Sequence, residues 1–322
     1  MKIVIAGAGA VGTHLAKLLS LENQDITLMD PDREKLNFPG SNLEMMTMAG
    51  SCTSLKDLTE IDVKNADLFI AVTPEESVNI TACMLASNMG AKKTFARIDN
   101  YEYLLPKNKE FFEKLGVNSM VYPEMLAAKE IVSALKRPWV RQWIELCGGA
   151  IILVGVKIRN NSGLVNKHLY DLGHDIKKFH IVAIKRNNVT IIPTGSDMVL
   201  AGDILFFTTT KEHIEELPAI AGKEIYEVKN VMIMGGSRIA IRTSQYLPGN
   251  TNIKLLELDK DKSYKLLEKL PQNVTVFHSD GRNAEFLLQE GIKEMDAFVA
   301  VTGNSEANIL ACMAAKRFGV KK

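Results

Sequence analysis

The chain has 322 residues, 46% of them hydrophobic and 24% charged, and a formal net charge of +1. That length exceeds what one hydrophobic core usually serves and predicts two or three domains. A near-neutral balance excludes a nucleic-acid binder working through bulk electrostatics, so no nucleic-acid partner is expected. The longest apolar runs, such as 150–156, fall short of the ~20 residues a membrane helix needs, which argues against direct membrane insertion. The N-terminal apolar run meets Gly7 too soon to serve as a secretory signal. Cys52, Cys83, Cys147 and Cys312 show no CxxC spacing and read as reduced cysteines of a cytoplasmic protein.

The segment from Lys2 to Leu19 reads as a strand, a glycine turn and a helix. Gly7, Gly9 and Gly12 allow a tight turn, close approach of backbone N–H groups to a pyrophosphate, and close packing of helix on strand. The helix N-terminus that follows, at Ala10 and Val11, faces an anion. Asp25 to Asp30 reads as a second strand, and Asp30 stands 18 residues past Gly12, where a dinucleotide fold places the ribose-binding carboxylate. The alternative role of Asp30 is to cap the helix at 32–36. An acid at this point also disfavours a 2′-phosphate by charge repulsion.

A third strand is expected over Leu43 to Ala49, ending at Gly50-Ser51-Cys52, with a helix beginning at Leu55. Asp67 to Thr73 is nearly continuously apolar, the pattern of a central parallel strand covered on both faces. Thr73 and Pro74 therefore lie at a strand's carboxyl end, beside the switch point where ligands bind. In the short strand Thr94 to Ile98, Arg97 needs an anion or a carboxylate, a surface ion pair being the simpler reading. From Tyr122-Pro-Glu to Lys136-Arg-Pro138 a helix bounded by prolines is expected, with apolar residues at 125, 126, 128, 131, 132 and 135, a stripe that packs within its own domain or crosses to a partner subunit.

After a connector at Trp139 to Cys147 the texture becomes β-rich: strands are expected at 150–158, 181–185, 189–192 and 204–208, with one helix at 164–172. This second, smaller domain of about 80 residues carries no glycine loop or nucleophile constellation. His168, His174, His180 and His213 have no metal-ligand spacing and read as surface or structural.

The opening then returns. Gly7, Gly9 and Gly12 correspond to Gly235, Ser237 and Ala240, and the strand-end acid Asp30 to Glu257. Ala66 to Lys93 and Met295 to Lys322 share 14 of 28 positions without a gap, including Thr73/Thr302 and Asn79/Asn308. Duplication of a domain explains this. Lys322 pairs with Lys93, so the second copy stops before its counterpart of the Thr94 strand, and a longer natural chain is expected. The fold class is α/β, a Rossmann-like doubly wound parallel sheet that is duplicated. A small α+β subdomain lies between the copies, with boundaries at 1–138, 139–222 and 223–322.

The order of these pieces resembles the RCK (KTN) domain family of regulatory subunits of Trk-type potassium uptake systems. The resemblance is carried by Ile3-Val-Ile-Ala-Gly-Ala-Gly-Ala-Val-Gly12, Ile26-Thr-Leu-Met-Asp30, Ala71-Val-Thr73 with Asn79, Ala96-Arg-Ile98, Pro123-Glu124 and Gly202-Asp203. It implies that the small domain is an RCK C-terminal subdomain and that NAD(H) binds with ATP and ADP as competing ligands. It also implies dimers or tetrameric rings peripheral to the cytoplasmic face of the membrane, bound to an integral-membrane potassium transporter subunit. On it, the helix Pro123 to Lys136 crosses to a partner subunit. Carried over to these positions, Gly7, Ala8, Gly9, Ala10, Val11 and Gly12 hold phosphates and Asp30 takes a ribose. Ser51 and Cys52 border the adenine, and Thr73, Pro74 and Arg97 close the pocket. Where some relatives place an arginine in the glycine loop, this chain has Ala10.

The second copy offers Gly235, Gly236, Ser237, Arg238, Ile239, Glu257 and Thr302 as a corresponding site. Ser237 adds bulk where backbone approaches phosphate, whereas Arg238 occupies the position of Ala10. A ligand-binding second site and a retained fold without ligand are both open. For function, a non-enzymatic nucleotide-sensing regulator stands against an NAD-dependent dehydrogenase. The latter needs an acid/base group and substrate anchors, and no His, Lys or Tyr constellation follows the strand ends.

Overall fold

The structure is a computed structural model that describes residues 1–37, 45–172 and 178–322. It divides into two compact units, Met1–Leu126 and Ala127–Lys322, each taken here by itself. His174, Leu43 and Glu44 lie outside the described residues.

In the first unit, β1 (Lys2–Ala6), β2 (Asp25–Asp30), β3 (Met46–Ala49), β4 (Leu68–Ala71), β5 (Thr94–Arg97) and β6 (Ser119–Val121) form one sheet. It is wholly parallel in the order β3-β2-β1-β4-β5-β6. The strands alternate between two cores. Ile3, Ile5, Ile26 and Leu28 pack with Ala16 on one face, while Val4, Ala6, Met29, Phe69 and Ala71 pack with Cys52, Leu58 and Cys83 on the other. Burial of both faces is why these segments read as continuous apolar runs. The chain leaves β1 in opposite directions toward β2 and β4, so the switch point lies at the carboxyl end of β1, next to Gly7. β6, three residues long and at the sheet edge, is too short to show in the sequence.

In the second unit, β7 (Val140–Leu146), β8 (Ile151–Lys157), β9 (His180–Arg186), β10 (Val189–Ile191) and β11 (Ile204–Thr209) make an antiparallel sheet ordered β10-β9-β11-β8-β7. Asn187 and Asn188 take positive φ in the β9–β10 hairpin turn, as a two-residue loop requires. Two expectations are corrected. The connector at 139–147 is the edge strand β7, whose residues are mostly exposed on both faces and so hide its period. The helix expected at 164–172 is a 3-10 turn at Leu169–Leu172. Before it, the backbone at Asn166, Lys167 and Leu169 bonds to Val199 and Asp197, and this pairing displaces i→i+4 helical bonds.

The same unit holds a second parallel sheet, formed by β12 (Asn230–Met234), β13 (Asn252–Glu257), β14 (Val274–His278) and β15 (Ala297–Ala300) in the order β14-β13-β12-β15. The α-helix Pro123–Lys136 has its later residues Ile131, Val132 and Leu135 in one core with Val231, Ile233, Leu255 and Ala297 of this sheet. The later part of the apolar stripe is thus buried within the chain, against the sheet of the second copy. Among the described residues no helix is long and apolar enough to cross a membrane.

One buried ion pair ties the small antiparallel sheet together. Arg186 Nε and Nη2 donate to the two carboxylate oxygens of Asp203 at 2.9 and 2.7 Å, and Leu200 N donates to Asp203 Oδ2 at 2.8 Å. Burial pushes the Asp203 carboxyl up, but the Arg186 and Leu200 hydrogen bonds outweigh it and hold it below the usual carboxylate range. Asp203→Asn should cost about 2 kcal/mol in urea unfolding at neutral pH, since Arg186 is only partly desolvated. The carboxylate's stabilisation is complete above ~4, its unfolded value, and is lost as pH falls through its lower folded value. The unfolding free energies of wild type and variant should therefore converge in that acid window.

Candidate functional site

The glycine loop after β1 is built around a carboxylate. Asp30, at the end of β2 and only 6% exposed, accepts from Ala8 N at 2.8 Å through Oδ2 and from Asp32 N at 2.9 Å through Oδ1. Gly7 N donates to Met29 O at 2.8 Å. These bonds hold the loop against the strand ends while leaving the carboxylate spare acceptor capacity. Gly7, at φ +107°, lies 3.0 Å from Thr73 N and Val72 C, counted from where a Cβ would sit. A side chain at Gly12 would come within 1.9 Å of Gly7 O, so helix and loop touch backbone to backbone. Gly9 differs from both, since a Cβ there meets nothing within 4 Å.

Gly9 is also the N-cap of the helix Ala10–Ser20 and caps it with no side-chain hydrogen bond. The first-turn N–H groups at the exposed Ala10 and Val11 are therefore left uncapped by a side chain at the positive end of the helix, a disposition suited to a phosphate.

The rim opposite is organised by Asn79, a residue that the sequence reading noted as repeated but did not place in the site. Its Oδ1 accepts from Thr73 N at 2.9 Å and Thr73 Oγ1 at 2.7 Å, and its Nδ2 donates to Thr73 O at 3.0 Å and Arg97 O at 2.9 Å. Buried at 1% exposure, it joins the ends of β4 and β5 as a strand bond would. Asn308 makes the same three contacts with Thr302. Recurrence of an amide inside an otherwise apolar helix repeat is the signal that would have found it.

Arg97 donates through Nη2 to Glu124 Oε1 at 3.2 Å, the carboxylate partner that the sequence reading required. Arg97 Nε and Glu124 Oε2 are buried without a hydrogen-bond partner. Ser51 N donates to Asp57 Oδ2 at 2.8 Å and its hydroxyl meets Thr53 Oγ1 at 3.0 Å, whereas the Cys52 side chain lies inside the core. Burial pushes the Cys52 thiol up. Pro74 is exposed beside Thr73.

In the second copy, Gly236 N donates to Glu257 Oε2 at 2.8 Å, repeating the Ala8–Asp30 bond. Lys262 Nζ sits 2.7 Å from the same oxygen, against 3.8 Å from Lys35 to Asp30. Burial pushes the Glu257 carboxyl up, and the bonds from Lys262, Asp259 and Gly236 more than reverse it, leaving it below its ordinary value. Ser237 takes φ −74° and ψ 169°, close to the −73° and −176° of Gly9, and its hydroxyl accepts from Ala240 N at 3.3 Å. Thus a serine fits the loop without strain and fills a helix-terminal donor that the first copy leaves open. A cleft of about 330 Å³ lies here, lined by Gly235, Ser237, Glu257, Lys262, Arg282 and Thr302 among others. Arg238 opens the helix and is exposed, while Ile239 is half-buried. Among the described residues no group of three or more His, Cys, Asp or Glu side chains is arranged to hold a metal; His168 Nδ1 meets Ser196 O at 2.8 Å and His213 Nδ1 meets Glu216 at 3.3 Å.

Two glycine-loop α/β cores around a small antiparallel sheet make up the architecture of RCK domains. The chain superposes on the crystal structure of the GsuK RCK domain with TM-score 0.69 at 15% identity, over 99% of this chain and 67% of that one. It likewise matches the GsuK channel bound to NAD, with TM-score 0.68 over 56% of that chain. In sequence, the family described as TrkA-N domain matches residues 3–123 and 231–322, and that described as TrkA-C domain matches 153–222. Over its full length the chain is 34% identical to the Trk system potassium uptake protein TrkA of Haemophilus influenzae, covering 71% of it. It is 32% identical to that of Halomonas elongata, again covering 71%. The chain belongs to the TrkA family of Trk system potassium uptake proteins, a family named for transport and not for an enzymatic reaction.

Asn79→Asp keeps the acceptor for Thr73 N but loses both donated bonds. It should lower the urea-unfolding free energy by about 2 kcal/mol or more. An unchanged midpoint would show that the β4–β5 junction does not depend on this amide.

Proposed function

We propose that this chain is a nucleotide-sensing regulatory subunit of a potassium transporter, and that the loop Gly7–Gly12 with Asp30 is its primary ligand site. The observation that carries this reading is the uncapped helix N-terminus over open space at Gly9, beside a carboxylate already fixed in place. A pyrophosphate fits the N–H groups, a ribose hydroxyl fits the spare capacity of Asp30, and the Ser51 and Thr73–Pro74 segments border the adenine and the far rim. Arg97 closes the site through its Glu124 pair. NAD(H) is the favoured ligand and ATP or ADP compete. The support is the family, together with solved GsuK structures of the same fold described as bound to NAD and to ADP. The segments 1–138, 139–222 and 223–322 act as nucleotide core, RCK C-terminal subdomain and second nucleotide core.

In this reading the protein works peripherally at the cytoplasmic face of the membrane, as a homo-oligomeric ring attached to a Trk-type transporter subunit. The ligand acts only as far as it binds two assembly states with different affinity. The second copy, with Gly235, Gly236, Ser237, Arg238, Glu257 and Thr302, is a weaker nucleotide site, because Ser237 and Lys262 already satisfy groups that a ligand would meet.

The decisive variant is Gly9→Ser, which imports the second copy's residue. It should leave thermal stability unchanged or slightly raised, through the added cap. In calorimetric titration NADH affinity should fall about tenfold or more, ~1.4 kcal/mol. Ser237→Gly should strengthen binding at the second copy. Undiminished NADH binding by a folded Gly9→Ser protein would remove the loop from the site. Turnover of NAD with hydroxy or amino acids would revive the dehydrogenase alternative.

A further inference from the structure

Outside the glycine loops, the second unit gathers several cations that are in no ion pair among the described residues. The end of β8 carries Lys157 and Arg159 two residues apart, on the solvent side of a strand whose Val154, Val156 and Ile158 are buried. Arg159 N donates to Ala221 O at 3.2 Å, and Ser162 Oγ donates to Ile220 O at 2.7 Å, which seats the segment bearing Lys223 alongside. Gly222, at φ +70°, has no room for a side chain against Asn161 and Ser162, so the approach is close. Arg141 sits where β7 slips register against Val156 and Gly155 of β8, and a bulge of this kind re-aims its side chain. Lys322 Nζ donates to Pro138 O at 3.3 Å, bringing a fifth cation to the start of β7.

None of these five side chains is in an ion pair among the described residues, although acids lie in the neighbourhood: Glu130 lines a cleft with Arg141, and Asp296 acts with Arg159 on the Tyr226 hydroxyl. Burial, followed by repulsion from Arg159, Arg141, Lys322 and Lys157, pushes the Lys223 ammonium down to about 8. Lys322 is pushed down as well, by burial and by Arg141. In a chain whose formal net charge is only +1, such crowding is a local imbalance and not a general surplus. Left alone, it works against the folded state.

We propose that Arg141, Lys157, Arg159, Lys223 and Lys322 form an anion site, separate from both glycine loops, that takes a compact phosphoanion of two or more negative charges. The chemistry follows from the donors. Two guanidinium forks and three ammonium groups from four separate segments surround a multiply charged oxyanion better than a single carboxylate, and arginine matches phosphate oxygens in pairs. Arg141 also lines a cleft of about 270 Å³ together with Glu130, Ser133, Gln142 and Trp143. The acid in that cleft makes it selective against an anion placed there, so the phosphoanion belongs on the side of Arg159 and Lys223. A ligand at this position would bind the β7–β8 sheet and the segment leading to β12 at once, and would stabilise their packing.

The test uses the full chain and inorganic pyrophosphate, titrated at constant ionic strength with sulfate as reference. Pyrophosphate at about 1 mM should raise the unfolding temperature and bind in calorimetry. Lys223→Met and Arg159→Gln, each made in a Gly9→Ser background that removes whatever pyrophosphate the glycine loop holds, should weaken the remaining binding about fivefold or more. Without ligand, Lys223→Met should melt at or above the wild-type temperature, because it relieves repulsion, so loss of binding in this variant is not misfolding. Binding that persists in Gly9→Ser keeps the result distinct from the fate of the nucleotide reading. Binding abolished by Gly9→Ser, or equal stabilisation by sulfate and pyrophosphate, would overturn the proposal. So would flotation with phosphatidate vesicles in the absence of any pyrophosphate binding, which would mark a lipid surface as the source of the phosphate group.

Discussion

A buried carboxylate that accepts the N–H of a residue in the glycine loop is the interaction on which each nucleotide core depends. Asp30 holds Ala8, and Glu257 holds Gly236. The bond crosses from the end of one strand to the turn after its neighbour, and so sets where the following helix begins relative to the sheet. Everything that gives the first loop its chemistry is downstream of that placement: the contact of Gly12 with Gly7, the direction of the helix N-terminus, and the space at Gly9. The two copies keep the bond although one uses aspartate and the other glutamate, because the extra methylene of Glu257 is taken up within a loop that has Gly236 where a Cβ would collide with Leu266 and Glu257 itself.

From this common anchor the copies diverge in what they leave unsatisfied. The first copy presents an uncapped helix and a lightly paired Lys35, with the carboxylate committed only to backbone. The second has closed the same vacancies from within, through the Ser237 hydroxyl and the Lys262 ammonium. A ligand gains most where it replaces no existing partner. The proposed inequality of the two sites thus rests on two side chains.

Much of this was legible in the sequence, for physical reasons that differ by element. The parallel strands Lys2–Ala6 and Leu68–Ala71 are buried on both faces, so their apolar runs announce them, and Gly7 and Gly12 are demanded by contacts that no other residue satisfies. The repeat disclosed the second core directly. β7 stayed hidden because an exposed edge strand carries no hydrophobic period, and the segment before Leu169 deceived because its pairing with Asp197 and Val199 is long-range. Asn79 illustrates a different limit. Its burial and its four hydrogen bonds to Thr73 and Arg97 belong to the tertiary structure, and only its recurrence as Asn308 hinted that an amide mattered. Cys52 was assigned to the nucleotide border by analogy, yet its side chain is a core residue, so any role there falls to its backbone and to Ser51.

The 1.9 Å approach at Gly12 also bears on how the two halves can drift apart over time. No side chain of any size is admissible at that residue while the helix keeps its seat, whereas the second copy already carries Ala240, fully buried, under a shorter helix running from Arg238 to Tyr246. A methyl is therefore compatible with the seat of the second helix and not with that of the first. The first copy remains under the stricter steric veto and the second explores sequences forbidden to its twin. A duplicated fold can in this way hold one half to a strict backbone contact while the other half is released from it.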